Sequence, residues 1–486
     1  MSQELSSQLI SQNGPGKVST DIAIIGSGPG GYVAAIRLGQ LGKKVILIER
    51  ERIGGVCLNI GCIPSKALIS AGKLVKDVRN AGKMGISADV SVDINKLQEW
   101  KQSVVNRLTN GVAQLCKSYK VEVIHGTARF LTSTELEVTN QQGNTRINAN
   151  NVIIATGTSP IELPNARFDG KRIISSTEAL TLTEIPSRMM IIGGGVIGLE
   201  IGMAYANLFG TELTIIELTE QLLPGTDPEL VEVVSRQLGK LGAKIYLKSR
   251  FKSASVNISN KVKAVFQTED GSEHEEEVEF VLVGVGRKPN TMNIGIEKVG
   301  IELTEKGFIR TDKQMRTNVP NIFAIGDVSG GPLLAHKASK EGIVAAEAIS
   351  GLNSRADFQA MPNAIFTDPE IATVGLSPDQ AKVRGIEFDA GKFPFVANAR
   401  ALASSESEGF VKIIANKETK AVLGVEIVGA ESSNLISEAS LAIEMGATLE
   451  DIGLTVHPHP TLPEALMEAA ENALGKAIHI QNRRRV

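Results

Sequence analysis

The stretch Thr20–Arg50 reads TDIAIIGSGPGGYVAAIRLGQLGKKVILIER. An apolar strand runs into a glycine-rich turn, a helix with small residues follows, and a second apolar strand ends in Glu49. The pattern returns at Arg188–Leu218, RMMIIGGGVIGLEIGMAYANLFGTELTIIEL, ending in Glu217. The three spaced glycines are Gly26, Gly28 and Gly31 in the first copy, and Gly193, Gly195 and Gly198 in the second. The first glycine permits a tight turn, the second lets backbone approach a pyrophosphate, and the third lets helix and strand pack closely. Free N–H groups at the helix start then suit phosphate. Glu49 lies 23 residues after Gly26 and Glu217 lies 24 after Gly193, the distance at which an acid meets a ribose hydroxyl. Leu218, Thr219 and Glu220 offer no cation for a 2′-phosphate, so the second copy favours NAD over NADP.

Around these two units the composition is ordinary. The chain has 486 residues, too many for one core, and a net charge of −3 that argues against nucleic acid as a partner. No run of eighteen uncharged apolar residues is present, so no membrane insertion is expected. The first nineteen residues lack a signal-peptide core and read as a frayed arm, and Arg483–Arg485 reads as a solvated basic tail. A cytoplasmic location follows as the simplest expectation. Three cysteines are too few for a disulfide scaffold. Cys116, in a helical stretch, reads as a small buried hydrophobe. Cys57 and Cys62, five apart in a glycine-rich context, point to redox or metal chemistry.

The segment Gly54–Leu68 reads GGVCLNIGCIPSKAL. Its Cys-Leu-Asn-x-Gly-Cys-Ile-Pro-Ser-Lys string resembles the pyridine nucleotide–disulfide oxidoreductases, and among them the dihydrolipoyl-oxidising branch. Val56 stands where that family often has Thr. The resemblance implies a Cys57–Cys62 redox disulfide against the flavin of FAD in the first unit. Cys57 would exchange with substrate and Cys62 with the flavin, beside a Lys66–Glu200 ion pair. Five residues of regular helix rise about 7.5 Å, more than a bridge spans, so the segment must be distorted; Gly61 and Pro64 are expected to supply flexibility and a break. With no second Cys or His pair nearby, no metal is expected. Asn151–Gly157 (NVIIATG, with Thr156 and Gly157) and Thr317–Val328 (TNVPNIFAIGDV, with Asp327) resemble further FAD contacts. His336 reads as structural.

Residues 409–429 alternate and turn like a β-hairpin, and residues 432–446 have helical periodicity. The closing His457-Pro-His-Pro-Thr-Leu-Pro-Glu464 resembles the family's acid–base loop, with Pro458 and Pro463 as departures. By that likeness His459 is the general acid–base and Glu464 the carboxylate that orients it, working across a homodimer. The expected fold class is α/β, two Rossmann-like dinucleotide-binding domains for FAD and NAD plus a C-terminal α+β dimerisation domain. The expected divisions are an arm (1–19), an FAD domain (20–160 and 290–355), an NAD domain (161–289) and an interface domain (356–486). The implied reaction is oxidation of dihydrolipoyl groups with reduction of NAD. The partners implied are lipoyl domains of 2-oxo acid dehydrogenase complexes or the glycine cleavage H protein. Glutathione- or mercuric-reductase-like activity is the alternative. The first prefers a basic patch after Glu217, and the second usually carries C-terminal cysteines.

Overall fold

The computed structural model describes residues 16–482. Most of the expected arm, and the Arg483–Arg485 tail, lie outside the described residues. The apolar runs of the first unit form a sheet in the order Glu122–His125, Val45–Glu49, Lys17–Ile25, Gly143–Ile154, Glu135–Asn140, Thr127–Phe130, with Ile322–Ala324 also paired to Gly143–Ile154. Its central strands are parallel, Ile22 opposite both Val45 and Asn151. Continuous burial of Val45–Glu49 is what a parallel strand covered on both faces requires. The helices Pro29–Gln40 and Ala335–Ile349 pack together over one face. The first strand starts at Lys17, paired with Arg146, so the expected arm is shorter than nineteen residues.

The second unit repeats the core order: Lys244–Tyr246, Glu212–Ile216, Arg188–Ile192, Phe280–Val283, then Ile173–Ile174, all parallel. Three antiparallel strands between Arg250 and Val278 lie beside it. The chain crosses between the units through a two-stranded ribbon, Thr158–Pro160 against Arg287–Pro289. The C-terminal sheet is antiparallel, in the order Asn363–Ile365, Glu370–Gly375, Val422–Gly429, Phe410–Asn416, Phe388–Pro394. Helices Ser432–Glu444 and Glu464–Leu474 pack on it. The hairpin and the helix expected from residues 409–446 are both present. The division expected at residue 356 falls late in the chain: Ala356 N–H donates to Lys313 O at 2.7 Å, and Phe358 packs on the first unit's core.

Cys116 is fully buried in the helix Ile94–Ser118. One stretch among the described residues, Gly55–Met84, is long and apolar enough by composition to cross a membrane. It is broken at Gly61, carries Lys66, Lys73 and Lys76, and packs one face on Val196–Phe209.

Candidate active site

The two glycine turns are built alike. Gly26 and Gly193 have φ of +101° and +96°, a region that side chains disfavour. A Cβ on Gly31 would overlap the Gly26 carbonyl, and one on Gly198 would lie 2.7 Å from the Ile191 Cγ2 methyl. Gly28 and Gly195 differ from these. A Cβ on Gly28 would meet nothing within 4 Å, and one on Gly195 only the Gly284 oxygen at 3.9 Å. Both are helix N-caps without a side-chain cap, so free N–H groups border open space and a pyrophosphate fits at each.

Each acid locks its own turn. Glu49 Oε2 accepts from Ser27 N (2.9 Å) and Oγ (2.6 Å), and Oε1 from Glu51 N (2.8 Å). Glu217 Oε2 accepts from Gly194 N (2.6 Å), and Oε1 from Thr219 N (2.7 Å) and Oγ1 (2.9 Å). Both carboxylates are buried at their strand ends, with lone pairs left for ribose hydroxyls.

The thiol pair straddles a helix break. Cys57 lies in Gly55–Ile60, and Cys62 is the first residue of Cys62–Asn80. Gly61, at φ −143° and ψ −113°, makes the break. Pro64 does not contribute: it is buried inside the first turn of the second helix, where a missing N–H costs nothing. Both cysteines are free thiols in this structure. The hydrogen bond that Cys57 donates, opposed by burial but aided by the Lys66 charge, lowers the Cys62 thiol to about 7. Donating that bond, together with burial, holds Cys57 well above the ordinary thiol range. Lys66 Nζ pairs with the buried Glu200 Oε2 at 2.8 Å and lies 4.2 Å from the Phe366 ring centroid. Phe366 N–H donates to Glu200 Oε1 at 2.8 Å, so the C-terminal domain helps fix the pair.

A second cluster surrounds Asp327. Its Oδ2 accepts from Thr158 Oγ1 at 2.8 Å. The turn beneath is held by Gly326 N–H donating to Glu341 Oε2 (2.7 Å), and Glu341 pairs with Lys337 at 2.9 Å, both buried. Thr156 Oγ1 donates to Asn290 O (2.8 Å), Asn290 Nδ2 to Thr156 O (2.9 Å), and Asn290 N–H to Gly157 O (2.9 Å). Thr158, Arg287, Asn290, Glu341 and Phe366 escaped the sequence reading. The string Gly286-Arg-Lys-Pro-Asn290, directly after an apolar strand, was the available signal for two of them. His336 is exposed and bonds Pro362 O through Nε2 at 2.8 Å.

The loop of His459 and Glu464 stands apart. His459 Nδ1 meets Glu464 Oε1 at 2.9 Å, and Glu464 Oε2 accepts from Thr461 N at 2.7 Å. Burial opposes ionisation of Glu464, but the Thr461 N–H and His459 hold it below the usual carboxylate range. Pro463 caps the helix Glu464–Leu474 and so sets the carboxylate at its first position. The His459 side chain is 71% exposed, and among the described residues no hydrogen bond or ion pair joins it to Cys57 or Cys62. His457 is instead nearly buried and bonds Glu438 Oε1 at 2.8 Å.

Residues 20–342 match the family model described as pyridine nucleotide-disulphide oxidoreductase, and residues 361–470 match that family's dimerisation domain. The chain is 50% identical over 465 residues to a dihydrolipoyl dehydrogenase of Bacillus subtilis, covering 95% of this chain and 98% of the relative. It is 46% identical over 467 residues to one of Halobacterium salinarum, covering 96% and 98%. Among solved structures, LpdA of Mycobacterium tuberculosis superposes with a TM-score of 0.87 at 28% identity, over 93% of this chain and 99% of that one. The flavoprotein disulfide reductase RclA of Escherichia coli gives 0.83 at 27% identity, over 93% and 99%. Two glycine turns, a thiol pair across a helix break and these full-length likenesses agree: the chain belongs to the pyridine nucleotide-disulphide oxidoreductase family.

Proposed function

We propose that this chain is a dihydrolipoyl dehydrogenase that oxidises protein-borne dihydrolipoyl groups and reduces NAD. The observation that carries the reading is the Cys57–Cys62 pair set across the Gly61 break beside the Lys66–Glu200 ion pair. FAD fits the first unit, held by the Gly26–Gly31 turn, Glu49 and Asp327; NAD fits the second, held by the Gly193–Gly198 turn and Glu217. Flavin bound there supplies the two-electron chemistry that connects the thiol pair to the nicotinamide.

Starting from the disulfide form, His459 of the partner subunit takes a proton from one substrate thiol. The resulting thiolate attacks Cys57, and the Cys57–Cys62 bond breaks with Cys62 leaving as thiolate. Lys66 stabilises that charge. The second substrate thiol then attacks the substrate sulfur of the mixed disulfide, and its proton passes to Cys57, which leaves as a thiol. The substrate leaves as a cyclic disulfide, and both electrons stay on the Cys57–Cys62 pair. Glu464 holds the imidazole by its Nδ1 and leaves Nε2 to work. The exposure of His459 and the match of its segment to a dimerisation domain support a homodimer with shared sites. The lipoyl carriers are domains of 2-oxo acid dehydrogenase complexes or the glycine cleavage H protein.

The test is NADH formation from free dihydrolipoamide, with oxidised glutathione plus NADPH as the rival pair. Turnover of the first pair that is abolished by Cys62→Ser supports the reading; turnover of the rival alone overturns it.

A further inference from the structure

The crossing ribbon carries a directed hydrogen-bond chain. Arg287 Nε donates to Thr158 Oγ1 at 2.8 Å, and Nη2 donates to the Thr158 carbonyl, also at 2.8 Å. Thr158 is buried, and its hydroxyl donates onward to Asp327 Oδ2 at 2.8 Å. A hydroxyl has one proton. Because Oγ1 already accepts from the guanidinium, that proton is committed to Asp327. The fork of Arg287 grips one residue at two points, a rigidity that a lysine cannot copy. Among the described residues no protein group donates to the other carboxylate oxygen, Oδ1, which stays free for a ligand hydroxyl. Burial works against the Arg287 charge, while the charges of Asp327 and Cys62 favour it.

We propose that Arg287 is a positioning residue for flavin binding: through the Thr158 hydroxyl it fixes the Asp327 carboxylate from the seam between the two nucleotide-binding units. The assignment rests on the flavin reading of the first unit. Its chemistry is orientation, with no proton or electron transferred. Losing Arg287 frees the Thr158 hydroxyl to rotate, and Asp327 then presents no single geometry.

The experiment follows FAD release from the holoenzyme by the rise in flavin fluorescence. Asp327→Asn, Arg287→Met and Thr158→Val should each speed release roughly 10–100-fold, the loss of one charge-assisted hydrogen bond. Thr158→Ser keeps the hydroxyl and should release FAD at the wild-type rate, which a merely steric role for Thr158 would not predict. The double variant Arg287→Met with Asp327→Asn should release no faster than Asp327→Asn alone, because both act through one chain. Fold-increases that multiply in the double variant, or wild-type release from Thr158→Val, overturn the relay. Wild-type release from Asp327→Asn overturns the flavin reading of Asp327 and the proposal with it, a result distinct from failure of the relay alone.

Discussion

Cys62 and Glu217 show how single positions set the chemistry. Cys62 begins a helix, accepts a hydrogen bond from Cys57 and faces the Lys66 charge; the last two of these bring its thiol to about 7. In a Cys57→Ser enzyme the remaining sulfur titrates alone and the serine hydroxyl can still donate. The long-wavelength absorption of a thiolate against flavin should therefore grow as pH rises, with a midpoint below the ~8.5 of a free thiol. Lys66→Met should move that midpoint upward. Cys62→Ser should lack the band, and a band surviving in Cys62→Ser means that the two thiols are assigned in reverse. Glu217 is followed by Leu218, Thr219 and Glu220, which set carboxylates and no cation against a 2′-phosphate; the adjacent Lys248, whose N–H donates to Thr219 O, pairs its ammonium with Glu269 at 2.9 Å. Losing the ribose bonds costs on the order of 1–3 kcal/mol. The expected kcat/KM with NAD exceeds that with NADP by at least roughly tenfold, and equal values would refute the role of Glu217.

The two strand–turn–helix elements share a plan and differ in tolerance. A Cβ at Gly31 overlaps the backbone oxygen of Gly26, which cannot move without opening the turn. At Gly198 the nearest atom is the Ile191 Cγ2 methyl at 2.7 Å, with Gly193 O at 3.0 Å, a smaller overlap. Overpacking of the second kind costs about 1–3 kcal/mol, and the first kind exceeds it. Gly31→Ala should thus be purified largely without flavin and with a clearly lowered Tm. Gly198→Ala should keep its flavin, lose a few degrees and show a raised KM for NAD. The reverse order, measured by flavin-to-protein absorbance ratio and thermal melts, would show that the turns do not differ in the way described. Much of this was legible in the sequence, because turn, cap and ribose acid are close in the chain. The Gly61 break was legible too. Pro64 misled, because a proline in a first helical turn does not interrupt the helix.

At the scale of the molecule, the C-terminal domain bears on two different sites. Phe366 reaches back to Glu200 within the chain, while His459 points outward from its own loop. If the partner subunit supplies the acid–base, Cys57→Ser and His459→Ala homodimers should both be nearly inactive with dihydrolipoamide. Loss of such a base typically costs ~10²–10⁴ in rate. A heterodimer of the two variants has one intact site and one doubly defective site, and should recover roughly half of wild-type activity. A heterodimer that forms, holds FAD and stays inactive means that the site is built within one chain.

The two strand–turn–helix units, the thiol pair, the acids Glu49 and Glu217 and the His459–Glu464 loop were all legible along the chain. Each is a short motif whose geometry follows from neighbours along the chain. What joins them appears only once the chain is folded. Lys66 meets Glu200 across 134 residues, Thr158 meets Asp327 across 169, and Arg287 meets Thr158 across 129. The two acids also emerged as clamps on their own glycine turns, a bond made only when the strand end folds back beside the loop. Local periodicity carries no record of such pairings, because they depend on which strand lies next to which. That order is set by burial of the sheets as a whole.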